Sequence, residues 1–239
     1  MNWKPGVSGL FRQNGKFGIM FTVSNCDSQF IDPGNQERLR TLLQRMEKIR
    51  QLFGARQKTF AGILPGIFFR SRMVREIPES EVTVGVIGKV IEAVKFSAGL
   101  SADAPIIILG GCGFIGNRVA KSLPRDVIHI VDIAGKSDEH GWPNQLRGKP
   151  ALLLNISRSA ALGEYVGRFW PELVVVNEVY PEPSPELAAA MRRVGCCCYH
   201  IVGVKAWALP SFPGGYEGGI PCCAAWNNDD MVALFERIA

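Results

Sequence analysis

Hydrophobic and polar positions follow two periods along this chain, and the switches between them mark its elements. Leu10 and Phe11, then Phe17, Ile19 and Phe21, flank Asn14 and Gly15, a dipeptide that tolerates the positive φ angles of a type I′ turn. Residues 8–23 are therefore expected to form a hairpin, exposed as a solvated ribbon. After Asp32, Pro33 and Gly34, the apolar residues Leu39, Leu42, Leu43, Met46, Ile49 and Phe53 share one face of a helix of about 18 residues that Gly54 stops. Residues 59–65 read as a short strand, so the first hundred residues are expected to alternate strand and helix. Arg70, Arg72 and Arg75 sit among apolar positions, as an exposed amphipathic segment or as a clamp for an anion. Val84, Ile87, Ile91 and Val94 define the inward face of a helix over 82–95.

Beyond residue 104 the pattern becomes regular. Ile106, Ile107, Ile108 and Leu109 form the unbroken apolar run of a central parallel strand, followed by a glycine turn and the helical spacing of Ile115, Val119 and Leu123. Further strands are predicted over 127–131, 151–156, 173–177 and 197–204. Helices are predicted over 159–169, over 185–194 between Ser184 and Gly195, and over 228–238. Residues 133–150 follow neither period and read as a loop with room for a shortened third strand. The alternation predicts right-handed βαβ units. The expected fold class is α/β: a small N-terminal α/β lobe with its bridging helix (1–98), then a reduced Rossmann-type parallel sheet with helices on both faces (99–239).

Chemistry enters at the glycine turn. Gly111, Gly113 and Gly116 give the spacing G-x-G-x-x-G, which permits a tight turn, close approach of a pyrophosphate, and close packing of helix on strand. Phe114 and Ile115 open the helix whose N–H groups face that anion. Asp132 closes the next strand about 20 residues on, where a carboxylate would take the ribose 2′-hydroxyl. The expected cofactor is NAD, with NADP left open; a purely structural turn and another nucleoside, such as S-adenosylmethionine, are the alternatives. Ligands of such sheets lie outside the strand carboxyl ends. That rule singles out Ser157 and Arg158 for the cofactor and Glu178 and Tyr180 for proton transfer. His200 is the reserve, against its reading as a core histidine. An ordinary loop cap or surface ion pair is the competing explanation for the other four.

Length and charge narrow the classes. The 239 residues can bury a large core, and the net charge of +5 is spread among acids without the basic stripe of a nucleic-acid binder. No run is long and apolar enough for a bilayer, and residues 1–6 lack a secretory pattern. Seven cysteines without C-x-x-C, three of them consecutive at 196–198, fit small buried side chains in a reducing cytoplasm and no metal site.

Thr83 and Gly85, opening the helix over 82–95, resemble the Thr and Gly that open the bridging helix of the amino-acid-dehydrogenase-like group, which includes shikimate dehydrogenases and bifunctional methylenetetrahydrofolate dehydrogenases. The stretch from Pro213 through Gly214 and Gly215 to Pro221 is similar to the proline-glycine-glycine loop of the tetrahydrofolate enzymes. The resemblance implies a lobe, a bridging helix and a dinucleotide domain, with substrate held between the lobes. It does not extend to the catalytic lysine segment, since Lys58 is the only lysine near a predicted strand there and its surroundings do not match. The glycine phrase also looks like that of extended short-chain dehydrogenases, but no tyrosine is followed by Lys four residues on. The expectation is an NAD(P)-dependent oxidoreductase for a small substrate, compatible with a homodimer; the alternative is a non-catalytic dinucleotide-binding or scaffold protein.

Overall fold

The computed structural model of the chain describes residues 3–132, 141–212, 216–226 and 230–239. In order, its elements are β1 (Gly6–Gln13), β2 (Lys16–Thr22), α1 (Asp27–Ile31), α2 (Gln36–Leu52), α3 (Leu64–Arg70), α4 (Pro78–Ser97), β3 (Ile106–Leu109), α5 (Phe114–Ser122), β4 (Ile128–Val131), β5 (Ala151–Asn155), α6 (Ala161–Tyr165), β6 (Leu173–Asn177), α7 (Pro185–Val194), β7 (Cys197–Lys205), β8 (Trp207–Leu209), β9 (Gly219–Ile220) and β10 (Ala233–Arg237). They fall into two compact units, Met1–Thr83 with Val204–Val232, and Val84–Gly203 with Ala233–Ala239. The division thus lies inside α4, where the sequence suggested a boundary at 98, and the first unit takes back a late segment. Gln13 supplies one reason. Only 1% exposed, its side-chain amide accepts from Trp226 N (2.9 Å) and donates to Trp226 O (3.1 Å). Phe11 adds a ring contact to Trp226 at 4.9 Å.

In the first unit, Asn14 (φ 48°) and Gly15 (φ 77°) make the expected turn between β1 and β2. The hairpin is not a free ribbon, because β8 pairs antiparallel with the other edge of β1 and makes β1 the central strand. Leu39 and Leu42 of α2 are buried with Phe30, Ile67 and Phe68, while Phe53 is 56% exposed beyond the helix end. Residues 59–65 do not form a strand. Gly62 adopts φ 66°, and Pro65, whose fixed φ and missing N–H suit a first helical turn, lies at the start of α3.

The second unit is a mixed sheet flanked by helices, ordered β4-β3-β5-β6-β7-β10. The first five strands are parallel. Ile107, Leu109, Leu153 and Val175 point to one face, against Leu162 of α6 and Met191 of α7. Their strand neighbours Ile106, Ile108, Leu152, Leu154 and Val176 point to the other, and all are at most 2% exposed. Burying each such side chain contributes roughly 1.5–3 kcal/mol. Helix α7 has the expected ends: Ser184 Oγ accepts from Leu187 N (3.3 Å) and Gly195 turns left-handed (φ 91°).

The C-terminal helix expected over 228–238 is instead β10. Its residues run antiparallel to β7, with Cys198 N donating to Ala239 O (3.0 Å) and Lys205 N to Val232 O (2.9 Å). The unpaired edge of β7 offers this short segment more backbone bonds than two isolated helical turns would retain. Residues 133–140, 213–215 and 227–229, which include part of the expected loop, the proline-glycine-glycine resemblance and the start of that helix, lie outside the described residues.

Candidate functional site at the carboxyl edge of the parallel sheet

Strand β3 lies between β4 and β5, so the chain leaves it in one direction across the sheet and later continues in the other. The carboxyl ends of β3 and β5 therefore bound the crevice where open α/β sheets take ligands. The last residues of four strands, Val131, Leu109, Asn155 and Asn177, are in register there with His200 of β7.

The glycine turn follows Leu109 directly. Gly110 adopts φ 92°, and a Cβ on it would lie 2.8 Å from Ser157 Cα, so the turn and the end of β5 are in contact. A Cβ on Gly111 would meet Ile130 Cγ2 at 2.7 Å, and one on Gly116 would meet the Gly110 carbonyl oxygen at 2.1 Å. These three glycines are explained by the chain's own packing. Gly113 is different: a Cβ there would meet only the Gly110 oxygen, at 3.0 Å, and otherwise open space. Gly113 caps α5, whose first helical bond runs from Asn117 N to Gly113 O (3.0 Å). Phe114, Ile115 and Gly116 form the first turn of α5, the end at which a helix presents its backbone N–H groups to an anion. The Asp132 carboxylate accepts from Cys112 N (3.1 Å), which sets an acid over the turn. Partial burial and that negative charge push the Cys112 thiol pKa up.

A buried polar ladder crosses the next three strands. Asn155, Asn177 and His200 are 0%, 1% and 3% exposed. Asn155 Nδ2 donates to Asn177 Oδ1 (2.8 Å), which orients the Asn177 amide; its Nδ2 then serves Val179 O (2.7 Å) and His200 Nδ1 (3.1 Å). With Nδ1 accepting, the neutral ring carries its proton on Nε2. The Asn177 carbonyl lies 3.2 Å from Nδ1 and accepts from it when Nδ1 is protonated. Burial lowers the His200 pKa, as expected for a ring held in the sheet. The ladder ends beside the turn, where Asn155 Oδ1 accepts from Ser157 N (3.2 Å).

The structure thus brings Gly111, Gly113, Phe114, Ile115, Gly116, Asp132 and Ser157 to one edge. Arg158 stands at the same edge through its carbonyl, which accepts from Asn155 Nδ2 (3.3 Å), while its exposed Nη2 donates to both carboxylate oxygens of Glu164 (2.7 and 2.9 Å). Tyr180 is 48% exposed on the loop after β6. Glu178 lies at the ladder, its N–H bonded to Asn155 O (3.0 Å). Although the residue keeps partial surface exposure, its carboxyl is poorly solvated, and that desolvation raises its pKa to about 7. Gly110, Asn155 and Asn177 are the site residues missed by sequence reasoning. The available signal was that two wholly apolar strands each end on an asparagine. Comparisons of the chain with protein-family models, curated proteins and solved structures find no match.

Proposed function

We propose that the second unit binds a nicotinamide dinucleotide along this edge and that the protein is an NAD(P)-dependent oxidoreductase for a small substrate. The observation that carries this reading is a glycine turn at the sheet's switch point with Asp132 drawn onto its backbone. The residues present fit the cofactor. Open space at Gly113 and the first-turn N–H groups of α5 suit the pyrophosphate, and Asp132 suits the ribose diol. The bound nicotinamide would supply or accept a hydride. Glu178, titrating near neutrality, holds or releases the accompanying proton, and the asparagine ladder fixes the backbone on which it stands.

Asp132 opposes a 2′-phosphate, so NADH should bind more tightly than NADPH in calorimetric titration. Asp132→Asn should narrow that preference by about tenfold. Tighter binding of NADPH by the unaltered protein would place Asp132 away from the ribose. A second reading, a dinucleotide-binding protein without turnover, is favoured by His200 being sealed in the sheet. It predicts cofactor binding together with failure across a panel of carbonyl and alcohol substrates.

A further inference from the structure

The first unit contains a cavity of about 350 Å3 that the nucleotide reading does not use. Leu43, Phe60, Phe68, Val74 and Ile77 give it an apolar wall. Three carboxylates and one ammonium group line it: Glu47, Glu76, Glu79 and Lys58. Glu47 is fully engaged. Its Oε1 takes Arg50 Nε (3.0 Å) and Nη2 (2.7 Å), and its Oε2 takes the Lys58 ammonium. Arg50 first and Lys58 second hold the Glu47 carboxyl at a pKa of about 2, so this group stays charged and satisfied. With Arg50 and Lys58 both on Glu47, Glu76 at the rim and Glu79 within leave this cluster with one net negative charge.

Glu79 is only 6% exposed, yet it lines the cavity. Its Oε1 accepts from Phe60 N (3.1 Å). Burial pushes the Glu79 carboxyl pKa up, and backbone N–H groups and then the charge of Lys58 draw it back only in part, so a further cation in the hollow would stabilise the carboxylate. Small-molecule sites have this composition: apolar walls and one or two placed polar groups.

We propose that this cavity binds a small organic ammonium ion with an apolar body, the ammonium on Glu79 and the body against Phe60, Phe68 and Ile77. A neutral alcohol would fill the walls but bring no charge to Glu79, and a carboxylate ligand would meet Glu76 and Glu79 as like charges. The site is independent of the nucleotide edge, so failure of either reading leaves the other standing.

The test uses the full chain with benzylammonium as probe and benzyl alcohol and benzoate as controls, followed by methyl NMR and calorimetry. Benzylammonium should shift the methyl signals of Leu43, Val74 and Ile77 and bind about tenfold more tightly than benzyl alcohol, with benzoate silent. Glu79→Gln, which keeps an acceptor for Phe60 N–H, should remove that tenfold advantage, and Val74→Phe should block both ligands. No methyl shifts with benzylammonium, equal or tighter binding of either control, or unchanged affinity in a folded Glu79→Gln protein overturns the proposal. Should Glu79→Gln fail to fold, the ranking of the three probes on the unaltered protein and the Val74→Phe result decide it.

Discussion

Two glycines three positions apart separate a structural role from a ligand role. Gly116→Ala would drive a methyl group to 2.1 Å from the Gly110 oxygen, inside a backbone contact that has no flexible side chain to yield. Thermal or urea unfolding should show a loss of about 3 kcal/mol. Gly113→Ala meets a single atom at 3.0 Å, so the fold should survive with a smaller loss while NADH affinity falls; unchanged affinity in a folded variant argues against pyrophosphate at this turn. Glu178 carries a pH signature. Its carboxyl, ordinarily near 4.5, is raised to about 7 in the folded chain, so the folded state holds a proton that the unfolded state has released. Its favourable contribution is complete below about pH 4.5 and is lost as pH rises through about 7. Glu178→Gln should therefore gain stability relative to the unaltered protein between pH 5 and 8, by roughly 1–3 kcal/mol at the upper end. A constant difference across that range would mean that the carboxyl is better solvated than its surroundings imply.

At the scale of elements, the polar ladder couples three strands. Asn177 alone serves Asn155, Val179 and His200. Asn177→Leu removes those bonds and leaves the Asn155 amide and the imidazole nitrogen buried without it, which should lower stability by about 3 kcal/mol. Asn155→Ala and Asn177→Ala should be non-additive in a double-mutant cycle, since each already breaks the shared 2.8 Å bond. Additive losses would show that the two amides act separately.

For the whole molecule, the last strand closes the edge of the parallel sheet. Cys198 bonds through both its N–H and its C=O to Ile238 and Ala239, and Phe235 packs edge-on to Tyr199 with ring centres 6.1 Å apart. Removing residues 233–239 should lower the melting temperature by about 10 °C, the loss of several edge bonds and their packing in a chain of this size. The bared edge of β7 should also promote association, measurable by light scattering. A truncated chain that melts at the original temperature and stays monodisperse would assign β10 no part in stability.

The strands β3, β5 and β6 were legible from sequence because each is an unbroken apolar run, and a strand buried on both faces has no other pattern to show. Helix α7 was legible from Ser184, Pro185 and Gly195, whose roles are local to the backbone. The glycine turn and Asp132 were legible because their spacing within one βαβ unit is set by local geometry. Other features depended on distant partners. Residues 233–237 became a strand because β7 had an open edge, and β1 became central because β8 returned to it. Asn155, Asn177 and His200 form one row only through parallel register, which joins positions 22 and 23 residues apart. Arg158 was legible by position at the carboxyl end of β5, whereas its ion pair with Glu164 of α6 depends on where that helix begins. Residues 59–65 carried strand-forming side chains, but Gly62 and Pro65 turned the backbone toward α3, and the hollow left beside Phe60 and Glu79 exists only in three dimensions.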